Sequence, residues 1–305
     1  MIRYTVKRLL LGAVALFTVA ILTFFLMFLV PGGPFLSEKT PTKATLAALE
    51  KKYGLDQPVI VQFKNYIINA VQGDFGPSMK QRGRNVKDII GERFPVSAKL
   101  GGISVLLSLA LGIPLGCIAA LKRGKWTDNT ILVVTTIGIA VPSFVTSIVL
   151  MYILGLKLGW LPTFGIEKVS GYVMPVMALS FYPTAYITRL MRSSMLDVLG
   201  QDYMRTAKAK GLSPALCLFK HALRNAIGPI VTYLGPALAF TLTGSFVVEN
   251  IFTIPGLGNS FVSSITNRDY TMIMGTTIFL AALLIFFNII SDIANKLIDQ
   301  RIQLN

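Results

Sequence analysis

The groups in this chain that could do chemistry are few, and their placement excludes more than it offers. A single histidine, His221, and two cysteines, Cys117 and Cys217, fall short of the roughly four soft ligands a structural zinc site takes, so no metal site is expected. Two cysteines also exclude a disulfide scaffold. Cys117 reads as a small apolar residue and Cys217 as a reduced thiol. No P-loop is present to cradle a nucleotide phosphate, so the chain does not hydrolyse ATP by that route. All 14 Asp and Glu residues lie outside six uncharged apolar runs. Carriers driven by protons or ions keep a carboxylate or histidine inside a span, where such a group is costly and retained for function. The placement therefore counts against a secondary carrier, and equally against an intramembrane protease built on an aspartate pair or a metal. What remains is a basic stretch, Arg189 to Arg224, and hydroxyls scattered through the apolar runs. Within that stretch Gln201 to Lys210 is amphipathic, with Tyr203, Met204 and Ala207 on one side and Arg205 and Lys208 on another. Gly211 breaks it, and Ser213 caps a second short helix, Pro214 to Leu223. Helix, glycine turn and helix in a polar loop read as a docking element for a soluble partner. The other reading is an interfacial helix whose basic face lies on anionic headgroups.

The elements that must position these groups are membrane helices. Of the 305 residues, 53% are hydrophobic and 14% charged, against about 25% charged in soluble domains. Mean hydropathy is +0.64. The apolar residues fall in Leu9 to Val30, Leu100 to Leu121, Thr130 to Leu156, Val169 to Thr188, Asn225 to Val248 and Tyr270 to Ser291. Each run is about 20 residues or longer, enough to cross roughly 30 Å of hydrocarbon as a helix, the only single-pass structure that satisfies its own backbone there. The first run is too long for a secretory signal and Val30-Pro31-Gly32-Gly33-Pro34 is no small-residue cleavage site, so it reads as a retained anchor. Kinks are expected at Pro142, Pro175, Pro183, Pro229 and Pro236. Gly112 and Gly116, four apart, permit close helix approach.

The net charge of +15 would point to nucleic acid in a soluble protein, but here it encodes topology. Alternate short connections hold 15 Lys and Arg on one side and 3 on the other. The positive-inside rule then puts both termini and the two basic loops in the cytoplasm. The remaining 11 lie in the segment from Pro31 to Lys99, which reads as a small helical subdomain on the outer face. There Thr40 caps a helix with Pro41 at its first position, and Gly54 stops it. A second helix runs from Asp56-Gln57-Pro58 to Gly73, and an amphipathic piece from Asn85 to Phe94 ends at Pro95. The expected organisation is a cytoplasmic N-terminus and first span (1–30), the outer subdomain (31–99), a core of spans two to six (100–291) with the cytoplasmic loop 189–224, and a cytoplasmic tail (292–305).

Several stretches carry a specific likeness. Arg205-Thr206-Ala207-Lys208-Ala209-Lys210-Gly211, followed by His221-Ala222-Leu223-Arg224-Asn225-Ala226, resembles the signature loop of ABC importer permeases in its peptide and nickel branch. Only Ala207 and Gly211 match the broader Glu-Ala-Ala, three residues, Gly form. Gly244-Ser245, Glu249 to Gly258, Asn267 to Tyr270, Gly73 to Ser78, Phe94 to Leu100 and Pro142-Ser143-Phe144 resemble the same branch. The likeness runs from Arg8 to Asp299. Pro31 to Phe35 and Glu38-Lys39-Thr40 favour the oligopeptide (OppB type) member of the OppB/DppB branch over dipeptide, glutathione or nickel versions.

The resemblance implies an all-helical, six-span type I ABC importer permease fold in a bacterial inner membrane. It also implies a transport subunit rather than an enzyme. Its partners would be a homologous second permease subunit (OppC type), two ATP-binding subunits (OppD and OppF type) that hold ATP and Mg, an extracytoplasmic oligopeptide-binding protein (OppA type), the peptide itself and membrane lipid, with no nucleic acid. Carried over by position, Gln201 to Lys210 is the coupling helix and Gly211 its turn, with Tyr203, Met204 and Ala207 filling a groove on the ATPase and Arg205 and Lys208 meeting acids. The path is expected where helices three to five face the second subunit, lined by Thr135, Thr136, Ser143, Thr146, Ser180, Tyr182, Tyr186, Thr232, Tyr233, Thr241 and Ser245. Neutral hydroxyls suit peptides of varied sequence. The plainer reading for each is a bond to its own helix or a neighbour. Glu249, Pro255, Gly256 and Gly258 sit where an outer gate or a binding-protein contact is expected, Glu249 being otherwise a solvated helix end. The rival classes are a secondary carrier and a stand-alone channel.

Overall fold

The computed structural model describes residues 2–29, 32–35, 42–242 and 245–298. Among the described residues the structure is helical, with one isolated bridge between Pro77 and Asn85. The helices are α1 (Ile2–Leu29), α2 (Lys43–Tyr53), α3 (Val59–Val71), α4 (Val86–Leu121), α5 (Trp126–Ala140), α6 (Ser143–Leu150), α7 (Val173–Leu199), α8 (Asp202–Ala209), α9 (Pro214–Leu216), α10 (Arg224–Ala226), α11 (Gly228–Leu242), α12 (Phe246–Ile251), α13 (Leu257–Asn267) and α14 (Tyr270–Ile298). A π-helix continues α6 over Met151–Lys157, and another, Cys217–Leu223, joins α9 to α10.

Among the described residues four helical stretches are long and apolar enough to cross a membrane: Thr5–Leu29, Val86–Leu121, Gly228–Ile251 and Tyr270–Ala294. The third apolar run is not one straight helix. It breaks at Val141-Pro142, and its halves, Trp126–Ala140 and Ser143–Lys157, are bent by 102°. Proline lacks the N–H that would continue the ladder and disfavours a helical residue before it. Among the described residues no other span breaks so sharply, and the expected kinks at Pro183 and Pro236 are absorbed within α7 and α11.

The fourth run becomes α7, 27 residues long but studded with Ser180, Tyr182, Thr184, Tyr186 and Thr188. Such a helix is disfavoured against lipid, and it lies at the centre of the fold instead, packed on α4, α5, α6 and α11. Small residues make the approach possible. A Cβ on Gly112 or Gly116 of α4 would stand 2.8 Å from Ile187 or 2.6 Å from Met191. Arg8 meets Asp292 at 3.1 Å, so the starting end of α1 and the finishing end of α14 share one side of the molecule.

The outer segment departs from expectation in two places. Thr40 and Pro41 lie outside the described residues, and α2 is capped by Thr42, whose hydroxyl accepts from Thr45 N at 3.3 Å. Gly54 ends it with φ +68°, as a C-terminal glycine should. The amphipathic piece does not stop at Pro95: α4 runs unbroken from Val86 to Leu121 through Pro95 and Pro114. The residue four before each proline, Gly91 and Ala110, is exposed and small, which leaves room beside the carbonyl that loses its partner. The outer subdomain is pinned to α14 by Asp269, buried at the helix start. It accepts from Ser78 Oγ, Met79 N (3.1 Å), Thr271 Oγ1 (3.1 Å) and Met272 N (3.2 Å).

Helix ends also overrun the apolar runs, which corrects the expectation that every acid stands outside a span. Asp88, Glu92, Asp128, Glu249 and Asp292 lie on span helices, each toward an end. Glu92, Asp128 and Asp292 are paired with arginines, Glu249 is held by neutral donors, and Asp88 is exposed in the first turn of α4.

Candidate functional site

Three places in the chain hold the residues singled out by sequence. The first is the turn between α8 and α9. Gly211 adopts φ +76°, a conformation costly for any residue with a Cβ. Ser213 caps α9, accepting from Leu216 N at 3.3 Å, with Pro214 at the first helical position. The amphipathic face of α8 is real but turned inward. Met204 is 1% exposed and Ala207 7%, packed with Met191, Met195, Cys217 and Ala222 in the protein's own core. The expectation that Tyr203, Met204 and Ala207 together fill a groove on a partner is therefore corrected: an eight-residue helix has too little apolar surface to serve two neighbours. Tyr203, at 43% exposed, and Arg205 remain outward. Tyr203 Oη accepts from Asn225 Nδ2 at 3.3 Å, and Arg205 lies 3.6 Å from Asp202. The side chain of Lys208 lies outside the described residues.

The second place is the one uncovered stripe of α7. Val173, Met177, Tyr182, Tyr186, Arg189, Ser193 and Asp197 are its exposed positions, spaced so that they form a single face. On it Tyr182 stacks on Tyr186 with centroids 6.2 Å apart, and Tyr186 meets Tyr233 of α11 at 4.4 Å. Sequence reasoning named all three tyrosines but could not place them together. Several hydroxyls named with them are elsewhere. Thr135, Ser180 and Thr241 are buried in this chain and bond to carbonyls of their own helices, Leu132 O, Met177 O and Ala237 O. Their expected place on the path is corrected; a buried hydroxyl in a helix is most cheaply satisfied one turn back. Ser143 and Thr146 are half-buried just after the α5–α6 break. Thr136 and Thr232 are exposed, Thr136 accepting from Arg189 Nη2 at 3.0 Å. Ser245 caps α12, accepting from Val248 N at 3.2 Å.

The third place is the hairpin between α12 and α13. Glu249 is not a solvated helix end, being 0% exposed. Ser97 Oγ of α4 donates to its Oε1 at 2.6 Å, and Asn259 N of α13 donates to its Oε2 at 3.0 Å. Ser97 Oγ in turn accepts from Leu257 N at 2.8 Å. A carboxylate thus caps the start of α13, where unpaired N–H groups and the helix dipole favour negative charge. Gly256 and Gly258 are required by this closeness: a Cβ at either would stand 2.3 Å or 2.9 Å from Glu249 Oε2. Pro255 O accepts from Arg93 Nη1 at 3.2 Å. Sequence reasoning found Glu249 and both glycines but missed Ser97, 152 residues away, which only the fold brings near.

It also missed Asp128 and Arg192. Arg192 Nε and Nη2 bond Asp128 Oδ1 and Oδ2 at 2.6 and 2.8 Å, and Gly124 N donates to Oδ2 at 2.9 Å. An aspartate two residues before an apolar run is the signal the sequence offers.

A polar central helix wrapped by membrane-length helices, one uncovered aromatic stripe and a glycine-jointed helical loop define a membrane transport permease subunit, not an enzyme. The chain belongs to the family of binding-protein-dependent transport system inner membrane components, which matches residues 112–304, its N-terminal companion matching residues 1–101. The chain is 43% identical to the dipeptide transport system permease protein DppB of Bacillus subtilis, over 100% of this chain and 99% of that one. It is 41% identical to the oligopeptide transport system permease protein OppB of Haemophilus influenzae, and 39% to that of Escherichia coli, each over 99% of this chain and 100% of the relative. Its fold is that of the MetNI methionine ABC transporter in an inward-facing form, with TM-score 0.58 at 15% identity over 69% of this chain and 96% of the other. The type I importer permease fold, and membership of an inner-membrane transport system with ATPase and substrate-binding partners, follow.

Proposed function

We propose that this chain is the first permease subunit of an ATP-driven, binding-protein-dependent importer of oligopeptides, set in a bacterial cell membrane with both termini in the cytoplasm. The basic residues counted on alternate connections support that orientation. Its partners are a second, homologous permease subunit (OppC type), two ATP-binding subunits (OppD and OppF type) that bind ATP and Mg, and an extracytoplasmic oligopeptide-binding protein (OppA type).

The observation that carries the reading is the stripe on α7. A helix otherwise enclosed by its own chain exposes Tyr182 and Tyr186, stacked beside Tyr233, on a face too polar for lipid. Aromatic rings ending in neutral hydroxyls offer contact and hydrogen bonds to peptide amides without demanding one side-chain charge. The peptide cargo named for the full-length relatives supports the same choice. At the cytoplasmic side, α8 and Gly211 form the coupling element, which meets the ATPase through the exposed Tyr203 and Arg205. At the outer side, Glu249, Pro255, Gly256 and Gly258 form the gate, with the α12–α13 hairpin as its moving part.

The test is uptake of a peptide mixture by vesicles containing the whole complex, with binding protein outside and ATP inside, read by mass spectrometry. ATP-dependent accumulation of peptides several residues long is expected, and its absence overturns the proposal. A second reading, dipeptide import, is favoured by the 43% identity to the Bacillus subtilis protein and predicts accumulation of dipeptides alone. In the same vesicles Gly211→Leu should hydrolyse ATP while uptake falls at least about ten-fold, since φ +76° is costly with a side chain present. Unaltered uptake would remove the glycine turn from the coupling element.

A further inference from the structure

The cytoplasmic third of α7 is gripped from two sides. On one, Met191 and Met195 are fully buried in the apolar cluster that also holds Met204 and Ala207 of α8 and Cys217 and Ala222 of the π-helix Cys217–Leu223, which packs on both α8 and α7. On the other, Arg192 forms the two-pronged pair with Asp128 in the first turn of α5. The side chain of Asp128 is 2% exposed and that of Arg192 21%. We propose that Asp128 and Arg192 are a positioning pair that passes displacement of the coupling element from α7 to α5, and through the α5–α6 break to the membrane path. The proposal rests on reading α8 and Gly211 as the coupling element.

The argument is geometric. The inner face of α8 is committed to this cluster, so a push on α8 is delivered through the π-helix Cys217–Leu223 to α7 around Met191 and Met195. Arg192 follows Met191 directly and leaves α7 on another side. Apolar contacts between α7 and α5, such as Gly138 beside Ala185, are non-directional and let helices slide. A planar guanidinium on a carboxylate is directional: two parallel bonds fix both distance and orientation. The Gly124 N–H fixes the carboxylate from its other side, which ties the connection between α4 and α5 into the same unit. One turn earlier, Arg189 reaches Thr136 of α5 at 3.0 Å, so the two helices are linked twice in register. At its far end α5 meets the 102° break. A tilt imposed at Asp128 must therefore reappear as a changed angle between α5 and α6, where Ser143 and Thr146 begin the second half of the span.

The experiment compares uptake per ATP hydrolysed in vesicles holding the complete complex and binding protein, for wild type, D128N, R192K and the exchange D128R/R192D. R192K keeps both charges and removes the two-pronged geometry. Both single variants are expected to assemble and to hydrolyse ATP while uptake per ATP falls at least about five-fold, the lower end of ordinary coupling between sites. The exchange should recover a large part of the loss. Unchanged uptake per ATP in D128N and R192K overturns the proposal. Loss of assembly in R192K, with its charges intact, overturns it too, because the pair would then be a folding element. Wild-type vesicles that accumulate no peptide overturn the parent reading instead. The pair is then read from stimulation of ATP hydrolysis by the binding protein, where equality of D128N with wild type overturns it.

Discussion

Two buried carboxylates hold opposite ends of this molecule, and they are stabilised by different means. Asp128, in the first turn of α5, faces the full charge of Arg192 in a two-pronged pair. Glu249, at the α12–α13 hairpin, meets only neutral donors: Ser97 Oγ and the N–H groups of Asn259 and Gly258. The inner link is stiff in orientation and intolerant of losing Arg192, because Asp128 would then be an unpaired charge in the interior. The outer link is a helix cap that neutral groups can make or release without stranding a charge on the partner. The two chemistries suit the roles proposed for them, an outer gate that opens in each cycle and a joint that does not slip.

That contrast can be broken most severely at the inner pair. Arg192→Met leaves Asp128 buried and alone and should destabilise the solubilised complex by about 3–5 kcal/mol, read as earlier loss of assembly on heating. Crowding the outer cap should cost less. Gly256→Ala puts a methyl where Glu249 Oε2 and Ser97 Oγ now are, 2.3 and 2.5 Å away. A penalty of about 1–3 kcal/mol is expected, with increased protease cleavage at the α12–α13 hairpin as its local sign. Ser213→Ala removes the cap of α9, worth about 1 kcal/mol, and hydrogen exchange should rise in residues 214–216 while the outer hairpin is unchanged. The smallest effect is expected for Glu249→Gln, under about 1 kcal/mol. Its amide can turn so that the oxygen accepts from Asn259 N and the nitrogen donates to Ser97. If Glu249→Gln matched Arg192→Met in thermal loss, the distinction between a charge joint and a dipole cap would be lost.

The turn between α8 and α9 shows how far sequence reaches. Helix, glycine turn and capped second helix were legible because Gly211, Ser213 and Pro214 are local signals whose physics is complete within a few residues. Amphipathicity of α8 was legible too, but the partner of its apolar face was not. Met204 and Ala207 are buried against Met191 and Cys217, a choice made by folding, not by period. The tyrosines illustrate the same limit. Tyr182 and Tyr186, four apart on one helix, were predictable neighbours, whereas Tyr233 joins them only because α11 packs beside α7. Pro95 misled in the other direction. A local rule ended the helix there, but Pro95 and Gly91, four residues before it, are both exposed, where the carbonyl that loses its partner is open to solvent, and α4 continues.

By itself, then, the sequence determined that the chain is a helical membrane protein, where most spans lie, and which loop is jointed. Hydrophobic length, turn chemistry and capping depend on neighbours along the chain. Only the tertiary structure decided that the fourth run is a central helix, that the third is bent through 102°, and which polar groups face one another. Asp128 finds Arg192 across 64 residues, and Glu249 finds Ser97 across 152. A buried charge must find a partner, but composition and spacing do not say which one; packing does.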